Sequence, residues 1–492
     1  MSVVASSEPG QEGQERLVRT VWAFAWPAVA LNSLQVLNNL LDRFFIGHLE
    51  QSALSAQSAA MNLTFLLFSL AMAVATGATA LVSRAYGAKD VPEYRAAAQQ
   101  SLNLAVVTSV ILALLSFMLT PFVGHYVLPA DADRGRELMV QYVAMFALGL
   151  PAIYIIQTLA ACLRGVGDTK SPMVISGLQI ALHILLNFVM IFPARPATFL
   201  GAHFMLPGVG LGLPGAAVAM TISAWLSAVV YVVYSRRTPL GNLLSIRLPR
   251  RDWAARILRI SIPSALMSFL RVLSLTAFTV IIAKSVNGEP AIAAMGVAFA
   301  VESIMFMPAF GLSMATSALV GQSLGAKKPD RAERVTWVAA HSGALVIAAL
   351  VVPIYLYSPL VAKTMISSEP VSIRAESKRV EPVVARPDEL AGKQKTREEA
   401  VSLIRWLCLT EVLFSYAMIM IGAMQGAGDT VRPVWITIWC LWLLRVPLAW
   451  LLVHPIAMGP TGAWIAMSLS QAIQGAMAIV VFRRGQWKTQ QV

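Results

Sequence analysis

Apolar runs about one bilayer long, separated by short connections rich in Gly, Pro, Arg and Lys, dominate this chain. They centre near Asn32, Ser69, Ile111, Leu150, Leu182, Ile222, Leu270, Phe306, Ile347, Leu413, Leu443 and Ala472. A helix of about 20 apolar residues crosses the hydrocarbon core of a membrane, so the pattern predicts an all-α integral membrane protein with twelve transmembrane helices. Within the first run the polar positions are ordered. At 100° per residue, Asn32, Gln35, Asn38, Asn39, Asp42 and Arg43 fall within an arc of about 140°, while Leu34, Val36, Leu37, Leu40, Leu41 and Phe44 fill the rest. A polar stripe is costly against hydrocarbon, so this face is expected to line a watery cavity or the bundle interior. The plainer reading is a polar helix-packing seam, with Arg43 snorkelling outward.

The pattern repeats. LRGVGDTKSP at Leu163 returns as MQGAGDTVRP at Met424, ALVSRAYGAKD at Ala80 returns as ALVGQSLGAKKPD at Ala318, and PGAAVAMTIS at Pro214 returns as TGAWIAMSLS at Thr461. Phrases kept in order mark a duplication, and paired halves around a central site are a common build for secondary transporters. The expected organisation is a disordered leader at 1–17, an N-lobe of spans 1–6 at 18–234, a cytoplasmic linker at 235–256, a C-lobe of spans 7–12 at 257–482 and a tail at 483–492. The offset between repeats steps from 236 at Pro27/Pro263 to 238 at Gly87/Gly325, 261 at Gly165/Gly426 and 247 at Gly215/Gly462. Those steps locate two insertions, a charged external segment at 363–399 and an external loop from Arg195 to Val209.

Composition agrees with the pattern: 57% of the 492 residues are hydrophobic, too many for a soluble globule to cover. The formal charge of +13 lies in scattered connections, among them Arg84, Lys89, Arg164, Arg236, Arg237, Arg250, Arg251, Lys327, Lys328 and Arg432. Such a bias places both termini in the cytoplasm of a protein of the inner membrane, and its dispersal argues against nucleic acid as a partner. Membrane lipid is the expected surrounding partner, and the chain is expected to act as a monomer. Cys162, Cys408 and Cys440 have no metal-like spacing and read as packing residues. GQSLGAK at Gly321 lacks the spacing of a nucleotide-binding loop. No cofactor or metal is expected, and no catalytic cluster of the kind an intramembrane enzyme requires stands out.

Together, WPAVALNSLQVLNNLLDRFFIGHL, ALVSRAYGAKD, LRGVGDTKSP, ALVGQSLGAKKPD and MQGAGDTVRP resemble the multidrug and toxic compound extrusion (MATE) family, in its bacterial NorM and DinF-like branches. The resemblance spans nearly the whole chain. It implies antiport, in which organic cations or other amphipathic compounds leave as protons or sodium ions enter, by rocking of two six-helix lobes. It also implies that Asp42, ahead of Gly47 at the end of the first span, occupies the N-lobe coupling site, and that Pro27 is the proline at which that helix bends. The fifth span departs from the relatives that carry Asn and then Asp four residues on, having His183 and Asn187 instead. That departure disfavours a full sodium site and favours proton over sodium. Thr221 in the sixth span is a candidate hydroxyl contributor.

The second half carries charge at depth. Arg271 and Glu302 lie equally far from the midpoint of the seventh/eighth hairpin, about 23 Å at 1.5 Å per residue, and Glu411 and Arg445 are likewise symmetric about Gly428. Intramembrane charges pair, so two Arg/Glu pairs or one four-member network are expected. Such pairs are either a second ion site or structural, and Arg271 stands where NorM-type members carry a coupling glutamate. Aromatic and Met residues such as Phe65, Phe68, Met72, Phe306, Phe310 and Tyr416 suit an adaptable wall for amphipathic compounds. The GDT turns read as structural, with Asp or Thr capping the next helix. The alternative to drug export is a flippase for a lipid-linked oligosaccharide or lipid of the same superfamily.

Overall fold

The computed structural model of the protein describes residues 13–127, 133–199, 202–243, 245, 247–366 and 387–490. Backbone amides in hydrocarbon must bond within their own segment, and each apolar run accordingly forms a helix; among the described residues twelve helices are long and apolar enough to cross a membrane. The first half comprises α1 (Gln14–Ile46), α2 (Gln51–Gly87), α3 (Val91–Val127), α4 (Asp133–Gly165), α5 (Lys170–Ile191) and α6 (Leu213–Ser235). The second comprises α7 (Arg251–Ala283), α8 (Gly288–Gly325), α9 (Pro329–Leu356), the short α10 (Ser358–Met365), α11 (Pro387–Gly426), α12 (Val431–Thr437), a π-helical stretch Ile438–Arg445, α13 (Val446–Val453) and α14 (Pro460–Arg483). α12, the π stretch and α13 together make the eleventh span.

Several expectations need correction. The segment from Arg195 to Val209 is not a plain loop: Pro193–Phe199 (β1) and Ala202–Val209 (β2) pair antiparallel, so the fold is helical with one β-hairpin. Helix α1 starts at Gln14, inside the leader expected through residue 17, and α7 starts at Arg251, inside the expected linker. Residues 387–399 of the charged insertion belong to α11, which lengthens the tenth span, while 367–386 lie outside the described residues. In the tail, Gln486–Thr489 forms a 3-10 turn whose buried Trp487 stacks on Phe482.

The packing is two-fold. α4 is the hub of the first half, against α2, α3 and α6, and its repeat counterpart α11 is the hub of the second, against α8, α9 and α14. The first helix of each half crosses over. Leu17, Val21 and Ala25 of α1 join the core built by α8, α9 and α11, whereas Phe45 and Ile46 of the same helix pack within the first half. Reciprocally, Trp253, Ile257 and Ile260 of α7 lie in the first half's core and Phe278, Ile281 and Ile282 in the second's.

The halves are closed together at the face that bears the basic connections. Gly87 and Gly325 mark the contact: a Cβ at Gly87 would strike the Gln322 carbonyl, and one at Gly325 the Arg84 carbonyl, so only hydrogen fits at either position. Around them Gln322 Nε2 donates to the Gly165 carbonyl (2.9 Å), and Arg84 Nη1 donates to the carbonyls of Gln490 (2.6 Å) and Ala427 (3.5 Å). Further along α1, Val29 meets Gly311 of α8, two residues past the buried Pro27. Helix α1 runs through Pro27 unbroken, although that proline cannot donate to the carbonyl four residues back.

Candidate functional site

In the first half two helices each present a polar pair one turn apart. Asn38 and Asp42 stand on α1, and His183 and Asn187 on α5; spacing of four puts both members on one helix face. α1 packs on α5 so that the pairs meet rung to rung. Asn187 Nδ2 donates to Asp42 Oδ1 at 2.7 Å, and Asn38 Nδ2 to Asp42 Oδ2 at 3.2 Å. His183 Nδ1 lies 3.0 Å from Asn38 Oδ1 and 3.9 Å from Asp42 Oδ1, and the ring also hydrogen-bonds the Ala216 backbone. Asn187 and Asn38 are buried, but the Asp42 side chain keeps 25% of its surface open. The carboxylate therefore has neutral donors on its buried side and access on the other.

The rest of the predicted stripe divides by azimuth. Asn32 reaches Met314 Sδ across the halves, while Gln35 bonds only its neighbour Asn39 and is exposed. Arg43 turns away from Asp42, toward Met61 Sδ. Thr221 is not brought to Asp42; its hydroxyl donates to the Met145 carbonyl at 2.8 Å and sits against Gly149. A neighbour absent from the sequence reading is Tyr142 of α4, close enough to Asp42 to feel its charge. Its signal was a lone Tyr in an apolar stretch, which periodicity does not separate from packing.

In the second half the four charged residues do gather, but with different partners from those expected. Among the described residues Arg271 does not pair directly with Glu302, nor Glu411 with Arg445. Glu302 Oε1 instead accepts from Gln471 Nε2 (3.0 Å), whose Oε1 accepts from Thr410 Oγ1 (3.3 Å). Arg445 Nε donates to Ser470 Oγ at 2.7 Å, and its charge acts on Glu302. Glu411 neighbours Glu302, like charge beside like, and its buried Oε2 has no hydrogen-bond partner. For Arg445 the reason lies in the eleventh span. Its π-helical stretch ends at Arg445, just ahead of Pro447, so the side chain leaves the helix at a different azimuth from an α-helical residue of equal depth. Gln471, Ser470 and Thr410 are the partners the sequence reading missed, visible there only as polar residues inside apolar spans.

The GDT turns are structural, as expected. Gly167 and Gly428 adopt left-handed backbone at φ 94° and 84°, and Asp168 Oδ1 accepts the Ser171 amide at 3.0 Å to cap α5. Asp429 does the same for Arg432 (3.4 Å) and pairs with its guanidinium. Of the aromatic wall, Phe306 stacks on Phe310 (5.6 Å) and Phe414 (6.3 Å), and Phe65 is exposed.

Two repeated helical lobes, pressed together at one face and carrying a polar cluster inside each, are the build of a secondary transporter rather than of an enzyme. The chain belongs to the MatE family, the MATE transporters, which it matches over residues 27–189, 263–381 and 389–451. It is 27% identical over 476 residues to the "Probable multidrug resistance protein NorM" of Thermotoga maritima, covering 95% of this chain and 92% of that one. To the "Probable multidrug resistance protein YoeA" of Bacillus subtilis it is 25% identical over 480 residues, covering 96% and 95%. A structure described as the outward-facing conformation of a multidrug resistance MATE family transporter shares the fold, with a TM-score of 0.81 at 22% identity over 97% of this chain and 98% of that one.

Proposed function

We propose that this chain is a proton-coupled antiporter that exports amphipathic or cationic small molecules by alternating access, acting as a monomer in the inner membrane with both termini cytoplasmic. The relatives carry multidrug resistance names. The observation behind proton coupling is the Asp42 cluster: one partly accessible carboxylate among neutral hydrogen-bonding groups. Sodium favours several oxygen ligands, whereas here a histidine ring and two amide NH2 groups point into the same cluster.

The cluster is wired for one proton. With Asn38 Nδ2 donating to the Asp42 carboxylate, Asn38 Oδ1 faces His183 Nδ1, so that nitrogen must carry hydrogen. A proton that enters from the open side and binds Asp42 neutralises the carboxylate to which Asn187 and Asn38 donate, so it weakens the charge-assisted bonds around it. Loading Asp42 thus changes the bond that ties α1 to α5, while His183 holds Asn38 in place. Coupling needs that conversion of a proton into a helix–helix contact.

The test is efflux of a fluorescent organic cation from proteoliposomes under an imposed pH gradient or an imposed sodium gradient, for wild type and Asp42→Asn. Transport driven by the pH gradient and lost in the variant is the expected result. Sodium-driven transport that survives Asp42→Asn would overturn the assignment, and no transport under either gradient would favour a lipid or lipid-oligosaccharide flippase.

A further inference from the structure

At the face opposite the basic connections, α9, α10 and α11 enclose a groove of about 690 Å³. Its walls are graded along the membrane normal. Gly426, at the basic-face turn, ends α11, and Arg405 stands 21 residues before it, about 32 Å away at 1.5 Å per residue. That is about one hydrocarbon thickness, so Arg405 and the adjacent Trp406 lie at the far headgroup boundary. Leu409, one turn deeper and exposed, lies at acyl level, and Arg397, two turns further out, lies among headgroups.

The cations are held in place. Arg405, which lines the groove, donates through Nε to Ser358 Oγ at 3.1 Å, and its guanidinium lies over the Tyr355 ring, 5.5 Å from the centroid. Arg397 donates through Nε (2.9 Å) and Nη2 (2.5 Å) to the Ile366 carbonyl and so clamps the end of α10 onto α11. Lys363 of α10 adds a third cation, and among the described residues that line the groove Glu398 is the single acid. A guanidinium and an ammonium lining one groove match a phosphodiester, and Trp406 with Tyr355 supplies interfacial rings.

We infer that this groove binds one anionic glycerophospholipid of the leaflet opposite the basic face, its phosphate between Arg405 and Lys363 and its acyl chain along Leu409. Charge complementarity at headgroup depth and apolar surface directly beneath select a lipid over a free anion. The site is separate from the Asp42 cluster and does not depend on it.

Native mass spectrometry of the purified full-length protein, titrated with phosphatidylglycerol or phosphatidylcholine, tests this. Wild type should retain one more phosphatidylglycerol than phosphatidylcholine. The Lys363→Ala/Arg405→Ala double variant should bind that extra copy about tenfold more weakly, the effect of losing charge-assisted hydrogen bonds. Ser402→Trp, which fills the groove without altering charge, should lose it as well. Equal retention of the two lipids by wild type, or an unchanged count in either variant, would overturn the site. Displacement of the extra copy by millimolar inorganic phosphate alone would show an anion site and overturn the lipid assignment.

Discussion

The two halves descend from one repeat, yet their polar clusters are built on opposite plans. In the first half a single carboxylate, Asp42, is held by Asn38, Asn187 and His183 and keeps an open side. In the second, two carboxylates and two arginines are packed with Gln471 and Ser470, and Glu411 and Arg445 are nearly inaccessible. An acid with neutral partners and an open side can exchange an ion. Acids and arginines held through Gln471 and Ser470 are fixed by their neighbours, and removing one leaves a polar partner unsatisfied. The comparison teaches that the duplicated halves place their polar clusters at different positions, since by the offset of 236 Asp42 corresponds to the buried Phe278; on the function proposed above, the first suits exchange and the second cohesion.

The largest effect that would sharpen this division is loss of pH-driven efflux in Asp42→Asn, by about 100-fold or to background, the scale of removing a proton-transfer group, with unfolding in detergent unchanged. Next, Arg445→Met should behave oppositely. It removes the donor to Ser470 and the cation near Glu302, which destabilises by about 1–3 kcal/mol, seen as a lowered thermal unfolding midpoint. Glu411→Gln relieves a like-charge contact and should keep most transport; abolition of transport in a well-folded Glu411→Gln would break the comparison. Smaller still is His183→Asn, which should retain transport but displace its pH profile, because the ring that fixes Asn38 beside Asp42 is lost; an unmoved profile would remove His183 from the coupling unit. The smallest effect belongs to Thr221→Val, which loses one hydrogen bond to Met145 worth about 1 kcal/mol and should alter efflux less than twofold.

Much of the architecture is legible in the order of residues. Apolar length marks all twelve spans, since backbone bonding in lipid leaves a segment few alternatives. The i, i+4 spacing of Asn38/Asp42 and of His183/Asn187 is also visible, because helical period is local. That these two faces meet is not local, and no offset between repeats reveals it. Equal depth suggested Arg271 with Glu302 and Glu411 with Arg445, but depth fixes only one coordinate of a residue on a cylinder. The π stretch before Pro447 changed the other. The hairpin at Pro193–Val209 escaped for a similar reason: its prolines and glycines read as loop, and strand pairing depends on a partner segment rather than on either strand alone.

The crossing of α1 and α7 bears on how the protein is made. Leu17, Val21 and Ala25 are made early, yet residues of the core they join, such as Leu312 and Val335, are synthesised some three hundred positions later. The first six spans, even fully inserted, still lack Trp253, Ile257 and Ile260 from the next segment. Neither lobe completes its core without a helix of the other, so the full set of core contacts exists only once both lobes have been made.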